Sequence, residues 1–411
     1  MGMNETPSAN RVHIGIFGRR NAGKSSLINA VTGQGLAIVS DQKGTTTDPV
    51  SKAMELLPLG PVVLIDTPGL DDEGELGEKR VAKTYQVLNK VDLAVLVVDA
   101  AEADKAGLEA VERPLLRLFA KKKLPFLIAV NKAELLDKKE RETIAKFFEK
   151  EARLLFVSAK TGQNIHSLKD CIAAMVPAED MRKKIVGDLL SPHDIAVLVV
   201  PIDSAAPKGR LILPQQQVIR DCLEAGAVPV VARDTELAAA LDALAGKPKL
   251  IITDSQAFGR VSQDTPPDVY LTSFSILFAR YKGNLWQQVN GAEAIRSLKN
   301  QDMVLISEGC THHRQCEDIG TVKLPRFLQQ FTGKELSFSF TSGGQFPEDL
   351  SKFALIVHCG GCTLNEREMK YRLECAKEQN VPMTNYGVAL AYMHGILDRS
   401  LEIFGRPQEG L

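Results

Sequence analysis

The chain predicts an α/β protein throughout: a P-loop domain followed by two smaller α/β domains with parallel sheets. Three observations carry this reading. Short apolar runs typical of buried parallel strands alternate with helical runs from Val12 onward. The first such strand runs straight into a glycine-rich loop and a helix, and a charged hinge from Pro177 to Lys184 interrupts the alternation. At 411 residues the length itself suggests about two to four domains. Boundaries are expected at 1–176, 177–265 and 266–411.

The glycine-rich loop is Gly18-Arg19-Arg20-Asn21-Ala22-Gly23-Lys24-Ser25, entered from the strand Val12 to Phe17 and left by a helix beginning at Ser26. Its spacing is that of a phosphate-binding loop. The glycines let backbone N–H groups wrap phosphates, Lys24 neutralises their charge, Ser25 ligates magnesium, and the helix N-terminus adds its dipole. A second strand, Val62 to Ile65, ends in Asp66-Thr67-Pro68-Gly69. Asp66 at that strand tip can hold the metal through water, and the Gly69 N–H can reach a γ-phosphate. Gly44-Thr45-Thr46-Thr47-Asp48 lies between the two, a polar loop suited to a switch whose threonine, Thr46, can complete the magnesium shell. Later strands deliver Asn131-Lys132-Ala133-Glu134 and Ser158-Ala159-Lys160, which resemble the base-reading motifs of GTPases.

The middle stretch alternates strand and helix: Ile195 to Pro201, Pro214 to Glu224, Val228 to Ala232, Thr235 to Ala245 and Lys249 to Thr253. It carries no phosphate loop, dyad or metal spacing, which suits self-association; His193 and Cys222 read as isolated residues, Cys222 as packing. The last stretch opens with helical runs at Thr272 to Arg280 and Gly291 to Leu298. Its strand Met303 to Ser307 then ends in Glu308-Gly309-Cys310-Thr311-His312-His313, and its strand Phe353 to Val357 ends in His358-Cys359-Gly360-Gly361-Cys362. Carboxyl ends of parallel strands share one sheet edge, where ligands bind, so topology brings Cys310, Cys359 and Cys362 together. Thiolate and imidazole at this spacing suit an iron–sulfur cluster or a zinc ion. Cys316 is a weaker alternative ligand, and Cys375 reads as helix packing.

Composition excludes some classes. A net charge of −1 with 25% charged residues gives no hint of a nucleic-acid partner, none is expected, and Lys121-Lys122-Lys123 reads as a solvated helix end. The polar stretch Met1 to Asn10 lacks a signal-peptide core, and no run of about 18 apolar residues occurs, so no membrane partner and a cytoplasmic location are expected. Seven cysteines in such a chain point to thiols or metal ligands over disulfides.

The order of the five nucleotide motifs resembles the TrmE–Era branch of the translation-factor-class GTPases. That resemblance implies GTP/GDP binding with Mg2+ through Gly18, Asn21, Ala22, Gly23, Lys24, Ser25, Ser26, Thr45, Thr46, Asp66 and Gly69. Guanine would be read by Asn131, Lys132, Glu134, Ser158, Ala159 and Lys160. Asn21 matches the asparagine that helps hold K+ in potassium-activated members. Leu70 stands where Ras-like proteins carry a water-orienting glutamine, which implies slow intrinsic hydrolysis resting on Lys24, Asn21, Thr46 and Gly69. Glu134 departs from the pattern, which has Asp there. Together with the Cys-x-His and His-Cys-x-x-Cys pair, the chain resembles the HydF family of FeFe-hydrogenase maturation GTPases along essentially its whole length. This implies a 4Fe-4S cluster on Cys310, Cys359 and Cys362, with His312 and His358 nearby or as a labile fourth ligand. It also implies a dimerising middle domain, a scaffold and carrier role for a di-iron precursor, and as partners the radical-enzyme maturases and the apo FeFe-hydrogenase.

Overall fold

The computed structural model describes residues 6–33, 49–69, 83–102, 108, 112–148, 153–176, 183–202, 211–309 and 319–405. The chain forms two compact units, Met1–Arg182 and Lys183–Leu411. The first holds a six-stranded sheet of β1 (Val12–Phe17), β2 (Val50–Leu56), β3 (Gly60–Asp66), β4 (Leu93–Asp99), β5 (Phe126–Asn131) and β6 (Leu154–Phe156), in the order β2-β3-β1-β4-β5-β6. All pairs are parallel except β2 with β3. β4 is buried along its whole length, as a strand covered by helices on both faces must be. β2 is absent from the sequence expectations. It is a solvent-facing edge strand with Ser51, Lys52 and Glu55 on it, so its apolar signal is weak.

The second unit holds two four-stranded parallel sheets. One consists of β7 (Ile195–Val200), β8 (Val228–Arg233), β9 (Leu250–Thr253) and β10 (Tyr270–Ser273), in the order β10-β9-β7-β8. The other consists of β11 (Met303–Ser307), β12 (Ser337–Thr341), β13 (Leu355–His358) and β14 (Met383–Asn385), in the order β12-β11-β13-β14. Read from the same end, the two orders are identical. Each closing strand leads into a helix along a matching stretch: Leu271-Thr272-Ser273-Phe274-Ser275-Ile276 in one half, Met383-Thr384-Asn385-Tyr386-Gly387-Val388 in the other, with Ala279 and Gly283 answered by Ala391 and Gly395. Ser273 and Asn385 both cap their helices by accepting an N–H three residues on. Thr272 and Thr384 both bury a hydroxyl that has no partner among the described residues. The halves also clasp each other: the helix Leu285–Glu293 packs on β14 and the helix Leu397–Leu401 on β10.

Two expectations move. The helix expected at 272–280 spans Phe274–Lys282, because Tyr270–Ser273 is a strand that pairs with β9 and extends the middle sheet past residue 265. The helix expected at 291–298 spans Leu285–Glu293, begun by the Asn284 side chain accepting from Gln287 N–H. The helix Phe274–Lys282 serves both sheets. Its Phe274, Leu277 and Phe278 join the core around β7 and β9, while Ile276 and Ala279 join the core around β11 and β13.

Candidate functional site

The phosphate loop leaves β1 where β1 lies between β3 and β4, the point at which strand order reverses and α/β sheets bind ligands. Its glycines are obligatory. Gly18 has φ +142° and a Cβ there would sit 2.2 Å from the Val97 carbonyl oxygen. Gly23 has φ +86° and would meet the Asn131 amide at 2.2 Å. Asn21 takes a left-handed conformation and is exposed at the loop tip. Buried Lys24 turns its ammonium back onto the loop, donating to the carbonyls of Arg19 (2.6 Å) and Gly18 (3.1 Å). The Ser25 hydroxyl donates to Asp66 Oδ2 at 2.5 Å, while Asp66 Oδ1 is buried with no partner among the described residues. Burial raises the Asp66 carboxyl above the usual range, with the Ser25 bond and the Lys24 charge pulling it back. An orphaned carboxylate oxygen beside a hydroxyl fits a divalent cation. Gly69 approaches the loop backbone so closely that a Cβ would lie 2.8 Å from Arg20 N, and the buried Thr67 hydroxyl donates to the Ile16 carbonyl at 2.7 Å. Thr45, Thr46 and Leu70 lie outside the described residues.

On the base side, Asn131 acts as a clamp. Its amide donates to the Ala22 carbonyl and its carbonyl accepts from Ala159 N–H, both at 3.0 Å, tying the phosphate loop to the Ser158-Ala159-Lys160 loop. Lys132, also left-handed, pairs with buried Asp99 at 2.5 Å. Glu134 is exposed. The Ser158 hydroxyl holds its carboxyl below the usual range, helped by the charges of Lys160 and Lys132, so it is an anionic acceptor facing solvent. Arg19 was not singled out from sequence. Its guanidinium grips buried Glu112 with two bonds, 2.8 and 2.7 Å, and so holds the phosphate loop to the helix Glu112–Lys121.

In the second unit, β13 delivers the Cys-x-x-Cys loop and β11 ends beside it. The Cys359 N–H donates to the Ser307 carbonyl at 2.9 Å, and Cys359 Sγ accepts from Gly309 N–H at 3.0 Å and Gly361 N–H at 3.4 Å. Gly309 directly precedes Cys310, so the backbone leading to the expected third ligand is at the site; Cys310, His312 and Cys316 themselves lie outside the described residues. Gly361 has φ +62°, and a Cβ there would meet Met369 Sδ at 2.7 Å. Burial pushes the Cys359 thiol up to about 11, the two N–H bonds opposing it. His358 is fully buried and both ring nitrogens are engaged: Nε2 accepts from Arg372 at 2.9 Å, which leaves Nδ1–H to donate to the Cys359 carbonyl at 2.7 Å. Burial, with Arg372 beside it, pushes its pKa down to about 3. In this geometry His358 buttresses the cysteine loop and has no free nitrogen for a metal. Behind it, Arg372 is also fully buried and pairs with Glu368 at 2.6 Å.

Lys282 is another residue that the sequence does not flag. It is 1% exposed, and its ammonium donates to the carbonyls of Gly361 (3.1 Å), Cys362 (2.9 Å) and Leu364 (2.7 Å). Burial pushes it down to about 8, while Cys362 and Cys359 work in the other direction. Among the described residues no group of three or more His, Cys, Asp or Glu side chains is arranged to hold a metal ion. The Cys359–Cys362 half nonetheless fits a thiolate pair on an anionic cluster, since amide-to-sulfur bonds and a nearby cation are what such sulfurs require. Cys222 is buried in packing, pushed up to about 12, and Cys375 packs against a neighbouring core.

The comparisons with known proteins divide along the same line. The hydrogen maturase F dimerization domain matches residues 185–283, the hydrogen maturase F tetramerization domain 286–403, and a 50S ribosome-binding GTPase domain 13–132. GTPase Der of Thermomicrobium roseum is 39% identical over 193 residues, covering 43% of this chain and 40% of Der. GTPase Era of Heliobacterium modesticaldum is 30% identical over 226 residues, covering 49% of this chain and 74% of Era. This chain thus spans well under half of the matched Der. Era from Aquifex aeolicus bound to GDP and aluminium fluoride overlays 54% of this chain and 92% of its own at 18% identity, with a TM-score of 0.34. The phosphate loop at the strand-order reversal and the Asn131 clamp define the first unit as a P-loop GTPase domain of the TrmE–Era type. With both maturase domains filling its second unit, the chain belongs to the hydrogen maturase F family.

Proposed function

We propose that this chain is a GTP-hydrolysing scaffold and carrier for FeFe-hydrogenase maturation. It would bind a 4Fe-4S cluster, receive a di-iron precursor made with radical-enzyme maturases, and deliver it to the apo-hydrogenase. The observation that carries this reading is one chain joining a phosphate site, with an orphaned buried Asp66 oxygen, to a Cys-x-x-Cys loop whose Cys359 sulfur accepts two amides.

On the nucleotide side, Lys24 would leave the Gly18 and Arg19 carbonyls for the β/γ-phosphates. Ser25 and Thr46 would hold magnesium directly and Asp66 through water. Asn21, at the exposed tip, would help hold K+, and the Gly69 N–H would sense the γ-phosphate. Magnesium, when bound, neutralises charge building on the phosphates. Glu134 would accept from the guanine N1–H and N2–H. On the metal side, Cys310, Cys359 and Cys362 would hold the cluster, and the di-iron cargo would be carried as substrate. His358 would keep the loop in place.

Anaerobic reconstitution is the test. The chain takes up about four irons with matching sulfide, and Cys359→Ser or Cys362→Ser abolishes this; one zinc with no visible absorbance would refute the cluster. GTP hydrolysis runs faster in potassium than in sodium and loses that preference in Asn21→Ala with nucleotide binding kept. Activation of an apo-hydrogenase by the loaded protein tests the carrier role.

A further inference from the structure

Lys282 closes the helix Phe274–Lys282 and is buried almost completely. An ammonium has three donors, and among the described residues all three go to carbonyls of one loop, Gly361, Cys362 and Leu364. None goes to a carboxylate. Burying a cation is costly unless a negative partner offsets it, and carbonyl dipoles are a weak substitute. The loop it holds carries two sulfurs that are anionic when they ligate a metal. By binding these carbonyls Lys282 holds the backbone of the Cys359–Cys362 turn, and of the negative groups that act on its ammonium, Cys362 and Cys359 come first and Glu366 after them. The reach also crosses the fold: Lys282 belongs to the stretch matching the dimerization domain, while the loop belongs to the stretch matching the tetramerization domain.

We propose that Lys282 is a positioning residue and counter-cation for a negatively charged iron–sulfur cluster on Cys359 and Cys362. It stabilises the more negative, reduced state and so raises the cluster's reduction potential. This rests on the cluster reading above.

The test reconstitutes the full chain, as wild type and as Lys282→Arg, Lys282→Gln and Lys282→Met, under anaerobic conditions. Iron and sulfide are counted per chain, and the one-electron reduction of the cluster by dithionite is followed by electron paramagnetic resonance against potential. Lys282→Arg keeps the wild-type midpoint, while Lys282→Gln and Lys282→Met move it to lower potential with cluster still bound. Equal midpoints in all four, or a shift in Lys282→Arg as large as in Lys282→Gln, overturns the proposal. Failure of both neutral variants to fold also counts against it, since Lys282 would then be a folding residue. A wild-type chain that takes up no iron overturns the cluster reading itself, whereas a loaded wild type with unshifted variants overturns this inference alone.

Discussion

Glu134 presents its carboxylate to solvent beside the Ser158 hydroxyl, held anionic by that hydroxyl and two lysines. Guanine offers two N–H donors to such an acceptor, and xanthine replaces one of them with a carbonyl. Glu134→Gln is therefore expected to lose at least about tenfold in GTP affinity, roughly 1.4 kcal/mol, and to gain on xanthosine triphosphate. Titration with both nucleotides measures the switch. A second single-residue expectation concerns acid. His13 is buried, its Nδ1 at 2.9 Å from the Arg11 carbonyl, and burial pushes its pKa down to about 4 from 6.5. The unfolded chain then binds the proton that the folded one refuses. Stability of the first unit is full above pH 6.5 and falls between 6.5 and 4, by up to about 3 kcal/mol. His13→Asn flattens that slope in denaturation curves taken across the window; an unchanged slope would place the proton uptake elsewhere.

At the element scale, the second unit is fastened by single side chains that end or join its helices. Asp221, on the helix Leu213–Glu224, accepts three consecutive N–H groups with one oxygen: Ile185 at 2.9 Å, Val186 at 2.8 Å and Gly187 at 2.7 Å. Asp221→Ala strands those donors and is expected to destabilise the unit by about 2–3 kcal/mol, read as a lower denaturant midpoint. The helix Glu366–Glu378 carries the Glu368–Arg372 pair beneath the cysteine loop, with the Arg372 side chain 0% exposed. Glu368→Ala leaves that guanidinium without its carboxylate at a cost of about 3 kcal/mol, and it frees the Arg372–His358 contact to rearrange. Loss of stability without loss of bound iron would show that the buttress is not needed by the metal loop. These fasteners were not legible in the sequence. Asp221 and Arg372 look like ordinary helix polar residues, and only packing reveals that their partners come from distant segments.

For the whole molecule, residues 185–283 and 286–403 match domains described as dimerization and tetramerization domains, so self-association is the expectation to test. Among the described residues of the second unit, two places expose large apolar side chains close together in the chain. One is the edge strand β8, with Val228 48% and Val231 47% exposed; the other is Val322, Phe327 and Phe331 at and on the helix Leu324–Thr332. Val231→Lys and Phe331→Glu should each lower the mass measured by light scattering, with secondary structure unchanged; mass equal to wild type in both would locate the contacts elsewhere. Among the described residues no helix is long and apolar enough to cross a membrane.

The sequence by itself determined the fold class and the phosphate loop. A buried parallel strand must be a continuous apolar run, and a phosphate loop must place glycine, lysine and serine at set spacing, so both are local patterns. It also determined that Cys359 and Cys362 share one turn. The tertiary structure alone decided what surrounds that turn: that β10 belongs to the middle sheet, that His358 is locked between Arg372 and the Cys359 carbonyl, and that Lys282 reaches the loop from the neighbouring half. The physical reason is that hydrogen bonds between residues far apart in the chain leave no periodicity to read. Lys282 follows Phe278 and Tyr281 in sequence like any helix-ending lysine, and only the packing of one helix between two sheets turns its ammonium inward.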